Sequence, residues 1–159
     1  MSKVTYGHWQ SEVGEFNPDD YFGFLYLVYC KENKKFYIGK KQVISVSHKK
    51  VAGKVRRQKI VKESDWKTYQ TSSQYVKADI EQFGTDKFDF HIVGLYKTKS
   101  GLKYAETNAL HKLDTNRKES SKAERNWYNI AIDAVRFTVV EYDPDVMKRI
   151  LKLIKSKGE

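Results

Sequence analysis

The chain has 159 residues, 40% of them hydrophobic and 14% aromatic, enough for one domain with a real core and not the profile of a disordered chain. Its formal charge of +10 calls for a polyanionic partner, most simply nucleic acid, beside the plainer reading of a cationic surface. A single cysteine, Cys30, excludes an intrachain disulfide, and no run approaches the roughly 20 apolar residues of a membrane span or forms a signal-peptide core, so a soluble, cytoplasmic protein is expected.

Residues 1–21 are polar with scattered aromatics and read as an extended arm. The run FGFLYLVYC, from Phe22 to Cys30, reads as a strand. KENKK and FYIG follow, so residues 23–40 read as a β-hairpin with Asn33 and Lys34 at the centre of a tight turn. Residues 40–62 carry nine Lys or Arg and no Asp or Glu. They read as a loop or an irregular strand pair, and either as solvated surface or as a phosphate-tracking surface. A helix follows, with Ser72 or Ser73 as N-cap, Val76, Ile80 and Phe83 on one face, and Gly84 as the stop. Alternation predicts a strand over 87–96, and apolar spacing a second helix over 101–113. A polar loop is expected over 114–127, short strands over 128–132 and 135–142, and a last helix opened by Asp143 and Pro144. Its apolar face would carry Met147, Ile150, Leu151 and Ile154 and pack on the sheet rather than lie along DNA. The mixture is α+β: a small antiparallel or mixed sheet with a β-hairpin, flanked by helices.

Two places carry chemistry. A two-residue turn at Asn33 and Lys34 pairs Tyr26 with Lys41, Val28 with Gly39 and Cys30 with Tyr37. Tyr26, Tyr37, Gly39 and Lys41 then share one sheet face. Two phenols, a lysine, and a glycine that lets a backbone approach make a candidate phosphate site; the plainer reading is an aromatic strand in a core. In the second helix, Leu102, Ala105, Ala109, Leu110 and Leu113 form the apolar stripe, and Glu106 falls within it. A core-facing carboxylate is costly unless it meets a cation, either a Lys or Arg at the rim or a bound metal, or bends out to water. His48, His91 and His111 lack metal-ligand spacing, so no zinc site is expected.

Together these segments resemble the GIY-YIG nuclease domain, closest to phage-encoded homing endonucleases of the Seg type. The first motif is matched by Phe24, Leu25 and Tyr26, with Phe24 in place of the usual Gly, and the second by Tyr37, Ile38 and Gly39. YAETNALH aligns Glu106 with the family's metal-binding glutamate, and WYNIAI aligns Asn129 with its late asparagine. The resemblance divides the chain into an arm (1–21), a nuclease domain (22–132) and a C-terminal strand and basic amphipathic helix (133–159). It implies hydrolysis of DNA phosphodiesters with one Mg²⁺ or Mn²⁺ at Glu106 and no obligate protein partner. Tyr26 would be the general base, Tyr37 would orient water or phosphate, and Arg56 or Arg57 would clamp the phosphate. Lys40 or Lys41 would supply positive charge, and Asn129 would orient the phosphate or brace the site. Gly39, Lys49, Lys50, Lys54, Lys59 and Lys62 would meet DNA. A non-catalytic nucleic-acid-binding module and a repair or branch-processing nuclease are the alternatives.

Overall fold

Strand β2, Gly23–Cys30, is buried at every position, which makes it the centre of the molecule. The computed structural model describes residues 5–116 and 127–158. Four strands form the main sheet in the order β1–β6–β2–β3, where β1 is Gln10–Ser11, β3 is Phe36–Gln42 and β6 is Phe88–Tyr96. β1 runs parallel to β6, and the other pairings are antiparallel, so the sheet is mixed. A separate two-stranded sheet joins β4, Ile44–Lys49, to β5, Gln58–Glu63. Among the described residues three α-helices complete the α+β architecture: α1, Gln74–Phe83; α2, Lys99–Lys112; and α3, Val146–Lys157.

Because β2 alternates apolar residues on both faces, the sheet separates two cores. Leu25, Leu27 and Ile38 pack with Leu102, Ala109 and Leu110 of α2 and Ile150 of α3. Phe24, Tyr26 and Val28 pack with Trp9, Phe16, Trp66 and Val76 on the other face. Each such side chain contributes about 1.5–3 kcal/mol by leaving water. The segment expected as an extended arm supplies Trp9 and Phe16 to the second core, and the Trp9 indole donates to the Trp66 carbonyl at 2.8 Å.

The β2–β3 register differs from expectation by two residues. Tyr26 faces Gly39 and Val28 faces Tyr37, with Phe24 opposite Lys41. The turn is longer than the two residues assumed: Lys34 N–H donates to the Cys30 carbonyl, and Cys30 N–H to the Lys35 carbonyl. Within this turn only Lys34 takes a positive φ, 61°, and the Asn33 side chain accepts from Lys35 N–H. Asn-Lys does not supply the two left-handed residues of a type I′ turn, so a four-residue loop closes instead. A slip of two preserves side-chain faces, and Tyr26, Tyr37 and Gly39 still share one.

A β-bulge at Val93 shifts the β2–β6 register between Leu25 and Tyr26. The Arg149 guanidinium of α3 donates to the Val93 carbonyl at 3.1 Å and to Asp143 at 2.6 Å, tying the last helix to the sheet. α3 buries Val146, Ile150 and Leu153, whereas Leu151, expected on the packed face, is exposed. Its N-cap is Asp145; Asp143 caps the preceding turn by accepting from Asp145 N–H.

α1 starts at Ser73, whose hydroxyl accepts from Val76 N–H, and ends at Gly84, at φ 93°. Residues 128–132 and 135–142 are not strands. Among the described residues one isolated bridge reaches the β3 edge, Phe36 to Trp127, and beyond it Ile130, Phe137, Val140 and Tyr142 are exposed. The loop expected over 114–127 lies mostly outside the described residues.

Candidate active site

The antiparallel pairing of β2 and β3 brings two phenols together. The Tyr26 and Tyr37 rings lie 6.0 Å apart between centroids, tilted by 44°. Gly39 makes room for them: a Cβ there would collide with the Cζ and hydroxyl oxygen of Tyr26 and lie 2.8 Å from Cε1 of the Tyr37 ring. The glycine thus admits a side chain of this protein, where a substrate backbone was expected. Tyr26 is completely buried, and its hydroxyl lies 3.5 Å from that of Tyr69. Burial holds its pKa well above the ordinary phenol value, and Tyr37 and Tyr69 add to the rise. Tyr37 is half-buried, and its hydroxyl shares a 3.2 Å hydrogen bond with Ser72. Burial raises its pKa too, while the Ser72 contact opposes the rise.

Glu106 reaches the edge of β3 from α2. Its helix starts at Thr98, whose hydroxyl accepts from Gly101 N–H, and buries Leu102, Ala105, Ala109 and Leu110 against the sheet. That packing turns Glu106 inward, with 14% of its side chain exposed and one oxygen 3.6 Å from Lys40 Nζ. Burial pushes its carboxyl pKa up, Lys40 pulls it down, and the Asp133 charge adds to the rise. A cavity of about 220 Å³ wraps the β3 edge, bordered by Tyr37, Lys40, Ser72, Glu106, Asn129 and Asp133. Tyr37 and Glu106 therefore face one space, and Tyr26 lies behind Tyr37.

The two adjacent lysines separate. Lys40 turns to Glu106, whereas Lys41 Nζ lies 2.7 Å from Asp65 and 4.1 Å from the centre of the Tyr69 ring. That hydrogen bond lowers the Asp65 pKa. Asn129 is buried, and its side-chain amide serves β3 as a neighbouring strand would. Its oxygen accepts from Ile38 N–H at 3.0 Å, and its nitrogen donates to the Ile38 carbonyl at 2.8 Å. Arg56 and Arg57 lie in the turn that joins β4 to β5, immediately before Gln58, and do not border the cavity. Lys49, Lys50, Lys54, Lys59 and Lys62 are exposed on or beside the same ribbon.

The donor set bears on which ion could fit. Among the described residues, no three His, Cys, Asp or Glu side chains gather. One inward carboxylate beside a polar cavity suits a hard, largely hydrated ion such as Mg²⁺, with a substrate phosphate completing the shell. It does not suit zinc, which needs three or four protein ligands. Sequence reasoning missed Tyr69, Ser72 and Asp133 as neighbours of the site. All three lie outside regular elements, where no periodic pattern marks a facing residue.

No helix among the described residues is long and apolar enough to cross a membrane. No curated protein and no solved structure matches the chain. A family model described as "Putative endonuclease segE, GIY-YIG domain" matches residues 8–132, most of the chain. With its tyrosine-bearing hairpin, helical glutamate and mixed sheet, the chain belongs to the Seg-type GIY-YIG nuclease family.

Proposed function

We propose that the protein is a divalent-metal-dependent DNA endonuclease of the phage homing type. The observation that carries this reading is the cavity at the β3 edge where Tyr37, Lys40 and Glu106 meet. Glu106 would hold one Mg²⁺ or Mn²⁺, which when bound neutralises phosphate charge and stabilises the leaving 3′ oxygen. Lys40, freed from Glu106, turns its ammonium toward a non-bridging phosphate oxygen. Tyr37 would take a proton from the attacking water as its own passes to Ser72, which is exposed and releases one to solvent, while the bond from phosphorus to the 3′ oxygen breaks and that oxygen takes up a proton from water. Asn129 keeps the β3 edge in place, so that Tyr37 and Lys40 keep their spacing.

The family pattern makes Tyr26 the general base, but complete burial opposes its phenolate. In our reading Tyr37 is the phenol that reaches substrate, and Tyr26 positions its ring. Incubating supercoiled plasmid with the full chain in Mg²⁺, Mn²⁺ or EDTA, and mapping the ends, tests the assignment. Nicks or breaks with 5′-phosphate and 3′-hydroxyl ends, appearing only with metal, are expected. Binding without cleavage in either metal would leave a DNA-binding module instead. Preference for branched over linear duplexes would replace the homing role with a repair role.

A further inference from the structure

Residues 44–62 hold seven Lys or Arg and no acidic residue. They fold as a ribbon of six consecutive pairs, from Ile44 opposite Glu63 at the root to Lys49 opposite Gln58 near the tip. Val43 anchors the root: it is 2% exposed, its N–H donates to the Phe22 carbonyl, and its carbonyl accepts from Ser64 N–H, both at 2.8 Å. Beyond the root the ribbon stands in solvent; Val46 and Val61, paired across it, are 39% and 54% exposed. A two-stranded ribbon that is wet on both faces is marginal alone, and clustered like charges weaken it further. An anionic partner relieves both problems.

The surroundings indicate the partner. The root opens on a groove of about 700 Å³ whose border holds five lysines against three carboxylates, Glu63, Asp65 and Asp133, a net positive lining. Lys40 and Asp133 border both this groove and the Glu106 cavity, so the two lie side by side. A nucleic-acid strand held at Glu106 therefore leaves along the ribbon. The major groove of B-form DNA, about 12 Å wide, admits a two-stranded ribbon, whereas the minor groove, about 6 Å wide, does not. Six pairs at about 3.4 Å reach about 20 Å, or about six base pairs.

We propose that the β4–β5 ribbon enters the major groove of duplex DNA and reads base edges within about six base pairs of the cut, with Arg56 and Arg57 at its tip. Ser45, Ser47 and Lys49 share one ribbon face with Gln58 and Lys62, which gives that face donors and acceptors for the groove floor. This rests on the DNA endonuclease reading, although base reading by the ribbon requires only binding.

The test uses the full chain and a pool of randomised duplexes. Molecules bound in EDTA are sequenced, and the ends of those cleaved in Mg²⁺ are mapped in parallel. Enrichment is expected on one side of the cut, out to about six base pairs. N7-methylguanine should block binding there, and N3-methyladenine should not. Arg56→Ala with Arg57→Ala should reduce the preference for the best sequence by about 5- to 150-fold per lost arginine contact. Enrichment limited to bases flanking the cut, or interference only by N3-methyladenine, would overturn the proposal. Should the double variant fail to fold, methylation interference on the natural chain decides alone. Selective binding with N7 interference but no cleavage leaves the ribbon proposal standing and removes the nuclease reading; cleavage without sequence preference does the reverse.

Discussion

Replacing Asn129 with alanine isolates what its amide does for β3. Two hydrogen bonds vanish, at 3.0 and 2.8 Å, and both end on Ile38, whose side chain is fully buried. A typical hydrogen bond contributes about 1 kcal/mol net, and a buried group left unpaired costs about 1–3 kcal/mol. Partial access of water to the vacated space offsets some of this, which leaves a loss of about 2–4 kcal/mol. At about 3 °C per kcal/mol for a chain of this size, the melting temperature falls by about 6–12 °C. Urea unfolding should show a lower midpoint with an unchanged m-value. Asn129→Asp should not rescue stability, because it turns an acceptor toward the Ile38 carbonyl in place of the donor. An Asn129→Ala protein with the natural midpoint but no cleavage would refute the brace and assign Asn129 to substrate.

Other expectations follow from the same cavity. Glu106→Ala should reduce cleavage by about 10³-fold, the scale of a lost transition-state stabiliser, while gel-shift affinity in EDTA persists. The raised Glu106 pKa means that the folded state holds this proton more tightly than the unfolded chain does. The resulting stability is present at low pH and is lost as pH rises through the folded value. In EDTA, Glu106→Gln should therefore raise the urea midpoint above that value and leave it unchanged below. Tyr37→Phe should lower kcat by about 10²-fold, and Tyr26→Phe by less; equal losses would return the base role to Tyr26. Gly39→Ala should destabilise the fold by about 1–3 kcal/mol in urea and slow cleavage, since both tyrosine rings must move.

Local patterns were legible in the sequence. Ser73 and Gly84 mark the ends of α1 through their own backbone chemistry, and the stripe of α2 places Glu106 inward without reference to any other element. Features that depend on distant partners were not. The two-residue slip in the hairpin is local but equally hidden, because it turns on the backbone angle of one left-handed residue, Lys34, and a side-chain cap from Asn33 that residue types alone do not fix. Residues 128–132 alternate as a strand would, yet the Asn129 side chain takes the Ile38 groups that a strand backbone would have used. The place of Arg56 and Arg57 depends on how far the ribbon extends, which charge patterning alone does not measure. Tyr69 and Asp133 reach the site from irregular chain, where nothing periodic announces them.

Val43 is the joint at which a buried strand passes into a solvent-exposed one. Outboard of it, exposed residues contribute little to the core, so substitutions there alter surface chemistry and leave the hairpin of tyrosines undisturbed. Selection can remodel residues 44–62 almost independently of the buried hairpin, and the surface chemistry of a lineage can change while its fold stays the same.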